Sequence, residues 1–228
     1  MSTVILKNVC KTFGEGTLAV NALNNVDLEI KAGGFVCLSG PSGSGKTTLL
    51  NMVGGLDRPS SGEITVTGKR VDLMAKGQLA EMRLRKIGFV FQAYNLIPVL
   101  TARENVEFVI QLQGMPAATR HQKSSEILSE VGLDDLAERK PAELSGGQQQ
   151  RVAVARALAS DPALILADEP TANLDSATAQ TLMDLLRRLN DERGITFLIS
   201  THDQLVMGHA RRLLQMQDGQ IVNDIQQR

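Results

Sequence analysis

The passage from Gly34 to Val53 constrains this 228-residue chain more than any other. An almost unbroken apolar run, Gly34 to Ser39, empties into Gly40-Pro41-Ser42-Gly43-Ser44-Gly45-Lys46-Thr47-Thr48 and continues as Leu49-Leu50-Asn51-Met52-Val53 up to Gly54-Gly55. A short apolar run bounded by glycine reads as a buried strand, and the stretch from Lys46 reads as a helix that stops at the paired glycines. The loop fits G-x-x-x-x-G-K-[ST], in which Gly40 and Gly45 let the backbone curl so that successive N–H groups point at an anion. A bare glycine-rich turn would need neither the strand before it nor the helix after it. Lys46 is therefore expected to reach the β and γ phosphates of a nucleotide. The Thr47 hydroxyl is expected to ligate Mg²⁺, with the helix N-terminus adding its dipole.

The first third of the chain alternates β-rich runs with turn signals, and Val4 to Val9, Val20 to Ile30, Gly34 to Ser39 and Glu63 to Val66 are predicted strands, with Ile87 to Phe91 following. Helical periodicity then takes over, at Thr101 to Leu112, Ala118 to Val131 and a helix opening near Gly146. Strands return at Ala163 to Ala167 and Thr196 to Ser200, joined by a helix from Ser176 to Glu192. A last pair, Arg212 to Met216 and Gln220 to Ile225, flanks a hairpin turn at Asp218-Gly219. The expected fold is α/β: a phosphate-loop core with antiparallel β elements and an inserted helical subdomain. One domain of two lobes is expected, 1–91 with 160–228 as the core and 92–159 as the helical part. No repeat or low-complexity tract divides it.

Composition excludes several classes. With 24 basic against 25 acidic residues and a net charge of −1, no large positive field is available for a nucleic-acid backbone. Stacking platforms are also scarce, since Phe13, Phe35, Phe89, Phe91, Tyr94, Phe108 and Phe197 are the only aromatics. Nucleic acid is thus not an expected partner. Cys10 and Cys37 lie in strand-like runs with no Cys or His at ligand spacing, and both read as reduced, buried packing residues. No stretch approaches eighteen uninterrupted apolar residues, and the first residues lack a basic region followed by an apolar core. Neither a membrane span nor a secretion route is expected.

A second group of polar residues follows predicted strands. Asp168-Glu169 closes Leu164-Ile165-Leu166-Ala167, which puts two carboxylates where open α/β sheets place their ligands. Asp168 is expected to hold the magnesium through a water. Glu169 is expected to polarise the attacking water, as general base or by orienting it. His202 follows Phe197-Leu198-Ile199-Ser200 and stands beside Asp203. A lone histidine is more often structural, but in this order it is a candidate sensor of the γ phosphate. Gln92, after Ile87 to Phe91, is a neutral side chain able to contact both metal and water.

Taken with Leu144-Ser145-Gly146-Gly147-Gln148 and Asn173-Leu174-Asp175, these motifs cover essentially the whole chain and resemble the nucleotide-binding subunit of an ATP-binding cassette (ABC) transporter. The resemblance implies a head-to-tail pair of copies, each ATP held by the phosphate loop of one and by Ser145 to Gln148 of the other. That is physically sensible, because Ser145 and the N–H groups of Gly146 and Gly147 open a helix and make a second anion-binding end. ATP then acts as dimer glue that hydrolysis removes. The resemblance also makes Asp175 a dimer contact and Phe13 the ring that stacks on adenine. Between Thr12 and Gly14, Phe13 can also be read as an ordinary aromatic at a strand end.

The stretch Tyr94 to Glu107 resembles the branch with lipoprotein-releasing, macrolide-exporting and cell-division cassettes, and Leu96, Ile97, Pro98 and Val99 are the expected dock for a membrane permease. An Mg²⁺-dependent ATPase on the cytoplasmic face of the inner membrane is the expected function. One rival is an ATPase that regulates a membrane assembly without transport. A soluble nucleic-acid-associated cassette is the other, but Lys46 to Ser145 is too short for a long coiled-coil insertion, and only one cassette is present.

Overall fold

The computed structural model describes residues 1–227. The core range assigned from the sequence ends on Arg228, outside them. In chain order the elements are β1 (Ser2–Phe13), β2 (Val20–Lys31), β3 (Phe35–Ser39), α1 (Lys46–Val53), β4 (Ser61–Val66), β5 (Lys69–Arg70), α2 (Lys76–Lys86) and β6 (Ile87–Phe91). They continue as α3 (Ala102–Leu112), α4 (Ala117–Glu130), α5 (Gly146–Leu158), β7 (Leu164–Asp168), α6 (Ser176–Arg193), β8 (Thr196–Thr201), α7 (Gln204–His209), β9 (Arg212–Gln217) and β10 (Gln220–Gln226).

Two sheets form. β2-β1-β4-β5 is antiparallel, and β10-β9-β3-β8-β7-β6 is parallel except for β10, which returns antiparallel on β9. The inner strands of the second sheet are buried on both faces, as their continuous apolar runs require. Successive side chains point to opposite faces. Ile165, Ala167, Phe197 and Ile199 therefore pack with the helices, while Leu164, Leu166 and Leu198 pack with α1 and the antiparallel sheet. Phe35 and Phe197 meet within the helical layer, their ring centroids 5.3 Å apart. Between β6 and β7 the chain leaves the sheet through α3, α4 and α5, then returns to pair β7 beside β6 in parallel.

The register of the parallel strands sets the site. Ser39 faces Thr201, Ser200 faces Asp168, and Asp168 faces Phe91. The residues immediately beyond those strands, Gly40, His202, Glu169 and Gln92, consequently emerge along one edge.

Several elements differ from expectation. β1 extends well beyond Val4–Val9, because its ladders with β2 and β4 continue through register shifts around Lys7 to Lys11, where polar residues interrupt the apolar alternation. Helices α2 and α7 and the short β5 were not predicted. α2 buries only Leu79 and Met82 among charged neighbours, too little for a clear period, and α7 buries only Val206. Cys37 is buried as expected, and desolvation, with the Glu169 charge second, pushes its thiol up to about 12. Cys10 is only half-buried. Its thiol donates to Asn25 Oδ1 at 3.2 Å and accepts from the Asn25 N–H, so it is a polar partner rather than core filling.

Asn105 accounts for the shape of the loop before α3. It is completely buried and donates through Nδ2 to the carbonyls of Ile97, Leu100 and Thr101, while its Oδ1 accepts from the Ile97 N–H at 2.8 Å. Asn105→Leu keeps the volume but strips these partners. It is expected to lower stability by about 2 kcal/mol, measured by equilibrium urea unfolding.

Candidate active site

The phosphate loop is shaped by packing as much as by any ligand. Gly40 has φ 151°, and a Cβ there would lie 2.3 Å from the Met216 carbonyl oxygen on β9. Gly45, at φ 102°, would place a Cβ 2.5 Å from the Ala22 carbonyl on β2. Lys46 is buried, and its Nζ donates to the carbonyls of Gly40 at 2.7 Å and Pro41 at 2.9 Å. Two of its three donors thus close the loop, and one remains for an anion in the cleft that Lys46 lines. The Ser44 hydroxyl is buried without a partner among the described residues, which leaves a further donor inside the loop.

The two carboxylates separate at the end of β7. Asp168 accepts from the Thr47 hydroxyl at 3.0 Å and from the Ser200 hydroxyl. Glu169 takes φ 47°, a left-handed turn uncommon outside glycine, which sends its side chain toward β8. There it accepts from Thr201 Oγ1 at 3.3 Å and pairs with His202 Nδ1 at 2.8 Å. Glu169 is largely covered while His202 is 72% exposed. Adjacent acids thereby face different neighbours, Asp168 the loop threonine and Glu169 an open imidazole.

A cleft of ≈ 780 Å³ has Ser42, Gly43, Gly45, Lys46, Thr47, Thr48, Gln92, Glu169 and His202 on its walls, while Gly40, Pro41, Ser44 and Asp168 do not line it. The carbonyl of Gln92 accepts from Asn173 Nδ2 at 3.0 Å, so the loop after β6 is tied to the one after β7. Phe13 does not line the cleft. It is 45% exposed at the end of β1, with Lys11 Nζ 4.7 Å from its ring centroid, but its cross-strand partner Val20 does line it, together with Asn21 and Ala22. Ser200, Thr201 and Asp218 were not picked out as site residues from the sequence, although two hydroxyls closing an apolar strand just before His202 were a usable signal.

The donor set suits Mg²⁺. Thr47 and Asp168 offer two hard oxygens in hydrogen-bond contact, and among the described residues no cluster of three or more His, Cys, Asp or Glu could hold a metal ion. Mg²⁺ characteristically takes few protein ligands and completes its shell with phosphate and water oxygens.

Ser145 to Gln148 lie outside the cleft. Ser145 caps α5 in a reciprocal box, the Gln148 N–H donating to Ser145 Oγ and the Ser145 N–H to Gln148 Oε1 at 2.8 Å. Gly147 packs so tightly on α6 that a Cβ would sit 2.4 Å from Thr178 Cγ2. Asp175 caps α6, and the hydrogen bonds from the Thr178 hydroxyl and N–H hold its carboxyl below the usual carboxylate range.

A phosphate loop, a split carboxylate pair and a histidine on one edge of a parallel sheet define a phosphate-loop ATPase. The family model described as "ABC transporter" matches residues 23–172. An uncharacterized ABC transporter ATP-binding protein of Thermotoga maritima is 47% identical over 216 residues, 95% of this chain and 92% of the relative. The macrolide export ATP-binding/permease protein MacB of Brucella melitensis is 46% identical over 223 residues, 98% of this chain but only 34% of MacB, so the chain spans about a third of that protein. The ATP-binding cassette MJ0796 of Methanocaldococcus jannaschii, solved as a post-hydrolysis dimer bound to ADP and Pi, matches with a TM-score of 0.91 at 45% identity over 99% of both chains. The chain belongs to the ABC transporter family, as an ATP-binding and ATP-hydrolysing cassette.

Charged hydrogen bonds contribute about 1.5–3 kcal/mol each. Lys46→Ala is accordingly expected to weaken ATP binding by about tenfold or more, with calorimetric titration as the check.

Proposed function

We propose that two copies of this chain close head to tail on two ATP molecules, and that their closing and release drive a membrane permease. One observation carries the reading: the cleft gathers the phosphate loop, Gln92, Glu169 and His202 but none of Ser145 to Gln148. A second set of anion-facing groups left outside the cleft suits a nucleotide held by another copy, and the MJ0796 cassette is itself known as a dimer.

Within each site Lys46, Ser44 and the loop N–H groups bind the phosphates. Thr47, Asp168 through a water, and Gln92 would hold Mg²⁺. When bound, the metal neutralises charge on the phosphate oxygens. Glu169 orients the attacking water and accepts its proton, while His202, held by Glu169 through Nδ1, keeps Nε2 free to face the γ phosphate. Val20 supplies the apolar wall for the base, with Phe13 beside it on β1 and off the cleft. From the partner copy, Ser145, Gly146 and Gly147 complete the phosphate shell, and Asp175 lies at the joint.

Residues 92–159 act as a helical lobe on the core of 1–91 and 160–228. The permease dock is assigned to the loop after Gln92. Leu96 turns inward onto the core, which leaves Pro98 and Val99, the latter 71% exposed, as its outer surface. Beside Asn95 opens a groove of ≈ 370 Å³ lined by Leu56, Leu84, Phe89, Phe91 and Val109, which suits an apolar helix of the partner. No helix among the described residues is long and apolar enough to cross a membrane. Attachment through such a partner would hold the cassette peripherally on the cytoplasmic face. The likeness to MacB, a macrolide export protein by name, supports an export role.

Glu169→Gln is expected to bind ATP and accumulate as a closed dimer while turnover falls by orders of magnitude. Undiminished hydrolysis would remove Glu169 from the mechanism. Ser145→Arg should bind ATP as a monomer yet fail to dimerise with ATP in size-exclusion chromatography, and a normal dimer would refute the shared site.

A further inference from the structure

Helix α5 touches both halves of the chemistry assigned above. Its first turn carries Ser145 to Gln148, and side chains further along hold two loops of the chain's own cleft. Gln150 is completely buried and donates through Nε2 to the carbonyl of Pro170 at 2.7 Å, one residue beyond Glu169. Arg156 donates through Nη1 to the carbonyl of Asn95 and through Nη2 to that of Tyr94 at 2.9 Å. Burial lowers the pKa of this guanidinium, so it sits in a desolvated setting in which those carbonyls are its partners. At the start of the helix, the Tyr94 hydroxyl lies over Gly146, where a Cβ would approach it to 2.8 Å.

Both loops held in this way carry left-handed non-glycine residues, as do five other positions among the described residues. Glu169, Tyr94 and Asn95 have φ of 47°, 57° and 51°, and such backbone persists only where its surroundings over-determine it. Gln150 Oε1 and the Thr171 hydroxyl have no partner among the described residues, which leaves the Pro170 bond as the polar tie of that buried amide. A helix moves as a unit, and its buried polar contacts have few alternatives to following it.

We propose that Gln150 is a positioning residue for Glu169. Through Pro170 it relays the place of α5, and with it the seating of Ser145 to Gln148 on the partner's nucleotide, to the carboxylate that orients water. This rests on the shared-site reading above, and it explains how an ATP bound in one half-site readies hydrolysis in the other without direct contact.

Gln150→Met keeps the volume but cannot donate to Pro170. In the full chain kcat is expected to fall about a hundredfold, as for a reacting group displaced by about 1 Å, while KM stays within about twofold. ATP-driven dimerisation should persist when the change is made in a Glu169→Gln background. Gln150→Glu supplies the test that a purely structural role would not move. Its buried carboxyl, kept protonated by desolvation, donates to Pro170 as the amide did, so activity is near the parent's at low pH and falls along a new alkaline limb as the carboxyl ionises. A parental kcat in the Met variant, or a parental pH profile in the Glu variant, overturns the proposal. If Gln150→Met fails to fold by circular dichroism, the Glu profile decides alone. Glu169→Gln and Ser145→Arg assayed in parallel separate the failures: normal turnover in the first removes the catalytic reading, a normal ATP-dependent dimer in the second removes the shared site, and a normal Gln150→Met beside an inert Glu169→Gln and a monomeric Ser145→Arg removes only the relay.

Discussion

The site depends on the register of four parallel strands. β3, β8, β7 and β6 end with Ser39, Thr201, Asp168 and Phe91 nearly level, and each hands the chain to a polar loop at its next residue. Hydrogen-bonded ladders tolerate little slippage when both faces are buried, because a shift of one residue would turn Phe197 and Ile199 out of the helical layer. The same packing that stabilises the sheet therefore holds Lys46, Gln92, Glu169 and His202 around one cleft.

Within that frame, small backbone choices divide labour. The left-handed turn at Glu169 parts two neighbouring carboxylates, so that Asp168 stays with Thr47 and Ser200 while Glu169 meets Thr201 and His202. Glycine is required at Gly40 and Gly45 by the close carbonyls of β9 and β2, and at Gly147 by Thr178. These glycines serve the packing of the fold as well as the approach of a phosphate.

Much of this was legible in the residues. The strand, loop and helix order around Gly40 to Thr47 was recognisable because a buried strand, a glycine curl and an amphipathic helix each leave a local pattern. The helix start at Ser145 was equally local, its side chain accepting from the N–H three residues on, as Thr101 and Asp175 do at their own helix starts. Other features left no such mark. Helix α2 has too few apolar residues to show a period, Cys10 looked like core filling until Asn25 came opposite it, and Phe13 missed the cleft wall that its partner Val20 forms. Leu96 read as part of an exposed dock but packs inward, because Asn105 ties the backbone of the following residues to α3.

By itself, then, the sequence determined the α/β class, the phosphate loop, the carboxylate pair and the presence of a separate glycine-rich helix start, since each is written in contiguous residues. Only the tertiary structure decided that Glu169 and His202 are partners, that Ser145 to Gln148 stand apart from the cleft, and that Gln150 and Arg156 reach the strained loops. Those relations join residues distant along the chain, and they arise from sheet register and helix packing, which no local pattern encodes.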